Sequence, residues 1–131
     1  MNPRSLYGVL GFPAHHSLSP AMHNAAFQEL AIDAEYRIFE KPAEQLEFFL
    51  HSLQNEHIFG LNVTVPYKEK VIPYMHTLTK EAQLIGAVNT IKREGECLHG
   101  FNTDAAGFIK HLTEDLFFIP EDKHISIIGA G

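Results

Sequence analysis

The sequence predicts an α/β domain of three layers. Its sheet is mostly parallel with one antiparallel hairpin strand, and helices cover both faces. Three observations predict this. Short apolar runs alternate with stretches of helical periodicity along the chain, which is the pattern of βαβ units. The alternation fails once, where two strand-like runs flank Glu94-Gly95-Glu96, a hairpin signal with glycine in its turn. The length, 131 residues, is slightly under one domain at about 150 residues each.

The elements follow in order. Residues 6–12 (LYGVLGF) form an apolar run closed by Pro13, a buried strand. After the polar loop AHHSLS, Ser19 stands before Pro20 as N-cap before N1 of a helix. That helix runs to about Ile32, with Met22, Ala26 and Leu30 at i, i+4, i+8 as its apolar stripe. Residues 35–39 (EYRIF) are a second strand, and Pro42 opens a second helix. Leu46, Phe49, Leu50 and Leu53 give that helix an i, i+3, i+4, i+7 face. In residues 60–65 (GLNVTV), Leu61, Val63 and Val65 alternate with Asn62 and Thr64, so the strand has one apolar and one polar face.

A helical turn over 68–72 ends at Pro73. Thr77 or Thr79 caps a helix through Leu84, with Gly86 on its C-terminal side. Residues 87–92 and 97–101 make the hairpin, and Asn102-Thr103-Asp104 opens a helix to about Leu112. The connection PEDK leads to a last strand at 124–128, followed by Gly129-Ala130-Gly131.

Composition narrows the class. Hydrophobic residues are 45% and charged residues 20%, as in ordinary globular domains and unlike disordered chains. The net charge of -6 argues against a nucleic-acid partner, which calls for a basic patch, but leaves small anions open. No run approaches the roughly 18 apolar residues of a membrane span. The single cysteine, Cys97, cannot form an internal disulfide, which fits a reducing, cytoplasmic compartment. Cys97 reads as a small buried strand residue. No metal spacing appears among the nine histidines. His15 and His16 are not expected to point one way from an extended segment.

In open α/β sheets, ligands bind beyond the carboxyl ends of the strands. Ser17 and Ser19 follow the first strand; Asn62, Thr64 and Lys68 lie along and after the third. Asn89 sits where a helix becomes a strand, and Asp104 at a helix start. Each has a plain structural explanation as cap, turn former or solvated charge. Together they place hydroxyls, carboxamides, one lysine and one carboxylate at one sheet edge. That set suits a small, polyhydroxylated, anionic ligand, and a neighbouring lysine and carboxylate can move a proton. The terminal G-x-G after an apolar run is how a dinucleotide-binding unit begins.

The segments SLSPAMHNAAF, NVTVPYK, IGAVNTI, GFNTDAAGF and SIIGAG, in this order, resemble the substrate-binding domain of the shikimate dehydrogenases. The resemblance covers nearly the whole chain. It implies reversible reduction of 3-dehydroshikimate to shikimate with NADP, in the shikimate pathway of aromatic amino-acid biosynthesis. It implies that Ser17 and Ser19 hold the substrate carboxylate, and that Asn62, Thr64, Asn89 and Asp104 line the site and bind ring hydroxyls. Lys68 is then the acid/base residue paired with Asp104, and Gly129, Ala130 and Gly131 begin the cofactor loop.

Two departures stand out. The family usually has Asn-Thr-Asp-Gly, whereas Ala105 and Ala106 precede Gly107 here, and Lys80 stands where many members carry an acid. Residues 1–112 are expected to form the substrate domain. Residues 113–131 are expected to form a connection and the first strand of a truncated dinucleotide-binding domain. On that expectation the 131-residue chain alone binds shikimate weakly and does not catalyse. Two alternatives remain: a quinate/shikimate dehydrogenase using NAD, and a non-catalytic shikimate-binding domain. The expected partner is a small molecule, with no nucleic acid and no membrane, and a homodimer is compatible with the chain.

Overall fold

The computed structural model describes residues 4–129. Six strands form one sheet in the order β2-β1-β3-β5-β6-β4. They are β1 (Ser5–Gly11), β2 (Ala34–Glu40), β3 (Ile58–Val63), β4 (Thr77–Leu78), β5 (Thr90–Glu94) and β6 (Cys97–Phe101). The β1–β2, β1–β3 and β4–β6 pairs are parallel, and only β5 runs against its neighbours β3 and β6. The helices are α1 (Ser19–Glu29), α2 (Leu46–Ser52), α3 (Lys80–Ile85) and α4 (Asp104–Lys110). A 3-10 turn, Ala43–Gln45, leads into α2, and a π-type turn, His111–Asp115, extends α4.

The two faces of the sheet are filled differently. Leu10, Leu61, Val63, Ile91 and Leu98 point to one face, where Leu46, Phe49, Leu50 and Leu53 of the α2 segment close on them. Ala82 of α3 and Val88 complete this core. All four residues of the predicted α2 face are therefore buried. On the other face, α1 lies over β1 and β2. Phe27 packs 5.9 Å from the Tyr7 ring, and His23 stacks on Tyr36 at 4.3 Å. Helices thus cover both faces, as expected.

The end signals work as capping chemistry requires. Thr79, not Thr77, caps α3, its hydroxyl accepting from the Ala82 N–H at 3.3 Å. Gly86 ends α3 at φ +73°, the left-handed region where a Cβ is penalised. Thr77 instead belongs to the short strand β4, which no local periodicity announces.

Several expectations fail, each for a tertiary reason. The Met22, Ala26, Leu30 stripe faces solvent, Met22 being 62% exposed, and His23 and Phe27 meet the sheet instead. Ser19 is the first residue of α1, not its cap, and the Ser17 hydroxyl accepts its N–H at 3.2 Å. Pro73 lies inside a 3-10 turn, Ile72–Tyr74; proline tolerates the first turn because its missing N–H is not needed there. Cys97 is exposed, because Leu98 and Gly100 take the inward register of β6. The His15 and His16 rings lie 3.8 Å apart, because the segment turns there and is not extended. Residues 124–128 are not a strand, and Ile128 is almost fully exposed. No strand of the sheet lies beside them, and a strand without a ladder partner is not stable.

Candidate substrate site at the carboxyl ends of the strands

β1 and β3 run parallel, so their carboxyl ends share one edge of the sheet. A cavity of about 480 Å³ opens there, well within the range of small-molecule sites. Ser17, Ser19, Asn62, Thr64, Lys68, Asn89 and Asp104 all line it. Residues up to 87 positions apart thus meet at one edge, Ser17 and Asp104 being the extremes. His16, which the sequence did not single out, lines it too.

The serine loop is pinned from β2. Glu40 Oε1 accepts the Ala14 N–H at 2.6 Å, the His15 N–H at 3.2 Å and pairs with His15 Nδ1 at 3.0 Å. The Ala14 N–H, then the His15 ring, hold the Glu40 carboxyl below the usual glutamate range. The peptide bonds Phe12–Pro13 and Val65–Pro66 are both cis, and the Phe12 N–H donates to the Val65 carbonyl at 3.1 Å. The loops after β1 and β3 are thereby joined. Gly11 permits this, since a Cβ there would stand 2.5 Å from Thr64 Cγ2.

Lys68 is aimed by its neighbour. Tyr67 is buried, and its hydroxyl donates to the Lys41 carbonyl at 2.5 Å. With Tyr67 driven into the core, Lys68 is left at the cavity wall. Its own carbonyl accepts the Val88 N–H at 2.7 Å, tying it to the turn that carries Asn89.

Asn89 is buried and fully engaged. Its Nδ2 donates to Thr103 Oγ1 at 2.8 Å and to Asp104 Oδ1 at 2.9 Å. Its Oδ1 accepts the Thr103 N–H at 2.9 Å. Asn102, also buried, caps α4: its Oδ1 accepts the Asp104 and Ala105 N–H groups at 3.1 and 3.3 Å. Its Nδ2 donates to the Ala87 carbonyl at 3.0 Å. The two asparagines therefore fix Asp104 from both sides. Lys68 Nζ donates to Asp104 Oδ2 at 2.6 Å. Ala105 leaves the start of α4 regular, and Lys80 opens α3 in solvent.

Asn62 is set from behind. Its Oδ1 accepts the Tyr36 hydroxyl at 2.6 Å. Burial pushes the Tyr36 phenol up to about 12, against the pull of a Ser19 hydrogen bond. Tyr36, Glu40, Tyr67 and Asn102 were missed from the sequence. The Asn-Thr-Asp motif gave a signal for Asn102; the others act over long sequence separations and had none.

The wall thus offers hydroxyl and amide groups and an ammonium, with one carboxylate whose oxygens are each held by one donor. Such a wall can bind a ligand bearing several oxygens and one negative charge, and can exchange a proton with one of those oxygens. A dinucleotide pyrophosphate calls for backbone N–H groups where a strand turns into a helix. Of the expected triplet, Gly129 has φ +85°, while Ala130 and Gly131 lie outside the described residues. Among the described residues no strand leads to Gly129, so that cradle is not built by them.

The family model described as the shikimate dehydrogenase substrate binding domain matches residues 9–91, more than half of the chain. The chain belongs to this family. Among curated relatives, a shikimate dehydrogenase (NADP(+)) of Geobacter metallireducens is 46% identical over 124 residues, 95% of this chain and 43% of its own. The crystal structure of shikimate dehydrogenase from Aquifex aeolicus matches with TM-score 0.83 and 42% identity, over 92% of this chain and 44% of that one. Shikimate 5-dehydrogenase from Thermus thermophilus, in complex with NADP(H) and shikimate, matches with TM-score 0.79 and 40% identity. The match covers 84% of this chain and 42% of that one. The chain therefore spans under half the length of these relatives. No helix among the described residues is long and apolar enough to cross a membrane.

Proposed function

We propose that this chain supplies the substrate site of a shikimate dehydrogenase, which reversibly reduces 3-dehydroshikimate to shikimate with NADPH. The observation that carries the reading is the convergence of the seven wall residues on one cavity, with Lys68 hydrogen-bonded to Asp104. Ser17 and Ser19 hold the substrate carboxylate at the start of α1. Asn62, Thr64, Asn89 and Asp104 receive the ring hydroxyls.

NADP(H) supplies the hydride in this reading, and the described residues act on the oxygens of the substrate. Lys68, as ammonium, donates its proton to the oxygen that becomes the alcohol, and takes it back in the reverse direction. Asp104 orients the ammonium and accepts from a neighbouring substrate hydroxyl. The Lys68–Asp104 pair is part-exposed, and such pairs contribute at most about 1 kcal/mol to stability. A role in stability alone therefore explains it poorly. Lys68 binds most strongly as negative charge develops on oxygen, so its loss lowers turnover more than affinity.

In the same reading, residues 1–112 are the substrate domain, and residues 113–131 are a connection and the first segment of a dinucleotide-binding domain, with Gly129-Ala130-Gly131 in its cofactor loop. A cytoplasmic location fits the single cysteine, and association into a homodimer fits the exposed apolar side chains of α1 such as Met22.

Calorimetric titration of the purified chain with shikimate and with quinate tests the reading. Shikimate is expected to bind more tightly. No heat with either acid at concentrations on the order of millimolar contradicts it, and tighter binding of quinate selects the quinate/shikimate dehydrogenase alternative.

A further inference from the structure

We propose that Tyr36 and Thr90 are positioning residues which hold the two amides of the substrate wall in orientation through one directional chain of hydrogen bonds. Neither lines the cavity; both face the groove behind it, beside Phe27 and Phe59. The inference rests on the substrate reading for its ligand, but the hydrogen-bond chain itself is a property of the protein alone.

The links run in one direction. The Tyr36 hydroxyl donates to Asn62 Oδ1 at 2.6 Å. Asn62 Nδ2 donates to Thr90 Oγ1 at 3.4 Å. The Thr90 hydroxyl donates to Asn89 Oδ1 at 3.0 Å. Asn89 Nδ2 donates to Asp104 Oδ1 at 2.9 Å, and Lys68 closes the chain on Asp104 Oδ2 at 2.6 Å. Asn24 fixes the first member, its side chain bonding both the Tyr36 N–H and carbonyl at 2.8 and 2.9 Å.

Each amide has two orientations that differ only in which end donates. The buried Tyr36 phenol keeps its proton and donates it to Asn62 Oδ1. Nδ2 must then lead on to Thr90. Thr90 has one proton, and having accepted from Asn62 it gives that proton to Asn89 Oδ1. Asn89 is left with its N–H groups toward Asp104. At the far end the Asp104 carboxylate can only accept and the Thr103 N–H can only donate, so turning Asn89 over would set acceptor against acceptor and donor against donor. The consequence is a wall whose free Asn62 N–H and Lys68 ammonium both donate, and a carboxylate held by two donors. An acceptor-rich ligand is favoured by the orientation of the amides, beyond their identity.

The test is amide NMR of the full chain, read at the side-chain carboxamide signals of Asn62 and Asn89, with shikimate affinity measured alongside. Tyr36→Phe is expected to shift the Asn89 carboxamide, which it does not touch, and to weaken shikimate binding about tenfold, the order of one hydrogen bond to an otherwise unpaired amide. In a Thr90→Val background the same change should move Asn89 no further and alter affinity less than about twofold. Thr90→Val should in turn shift the Tyr36 ring signals, two links away, and Thr90→Ser should restore them. This second arm decides if Tyr36→Phe does not fold. An unmoved Asn89 carboxamide in folded Tyr36→Phe overturns the proposal, as do unmoved Tyr36 signals in Thr90→Val or fully multiplicative affinity losses. If wild-type chain fails to bind shikimate while Asn89 still follows Tyr36, the substrate reading falls and the hydrogen-bond chain stands.

Discussion

Along β3, Leu61 and Val63 enter a closed apolar core under α2, while Asn62 between them enters a polar cavity. One strand thus serves two solvents. On the α2 face the packing is mostly aliphatic and aromatic, and what matters there is volume. On the α1 face the polar atoms are held in fixed directions, and what matters is which end of each group donates. Changes on the first face should cost stability and leave chemistry alone; changes on the second should do the reverse.

Lys68→Ala should show the largest effect. Under the proposed function, dehydrogenase turnover is expected to fall about 10²–10⁴-fold, the usual contribution of a positioned acid/base, with the melting temperature of the chain nearly unchanged. A melting shift comparable to a core deletion would erase the distinction between the faces. Leu10→Ala, fully buried under α2, should cost about 2–5 kcal/mol of stability. Measured well below its melting temperature, its shikimate affinity should stay near wild type.

Asn102→Ala belongs to both faces, since it caps α4 and holds Asp104. A lost cap costs about 0.5–2 kcal/mol. Denaturant unfolding should show that loss, and affinity should fall with it. The smallest effect is a pH dependence. Glu40 binds its proton less tightly in the fold than unfolded, so its contribution is complete above the ordinary glutamate range and is lost as pH falls through the lower folded value. The Ala14 and His15 amide signals should therefore shift on acidification, and Glu40→Gln should abolish that titration.

The two faces were not equally legible in the sequence. The apolar one was, because Leu46, Phe49, Leu50 and Leu53 repeat at helical spacing and every one of them is buried. The same rule placed α1 but chose the wrong face of it, because Met22, Ala26 and Leu30 satisfy the periodicity yet stand in solvent. The cavity residues were legible through their places after strands and through their motifs. Their supports were not. Glu40 and Tyr36 each act through specific hydrogen bonds to residues 26 positions away, and periodicity carries no trace of such bonds. Residues 124–128 have the composition of a strand, but a strand is made by its neighbour's ladder, which lies outside local sequence.

Backbone amide NMR of the chain during a shikimate titration tests the division most directly. Ser17, Asn62, Lys68, Asn89 and Asp104 are expected to shift together and saturate, while Leu46, Phe49 and Leu53 on the α2 face stay still. Saturable shifts centred on the α2 face, or none at all at concentrations on the order of millimolar, would contradict it.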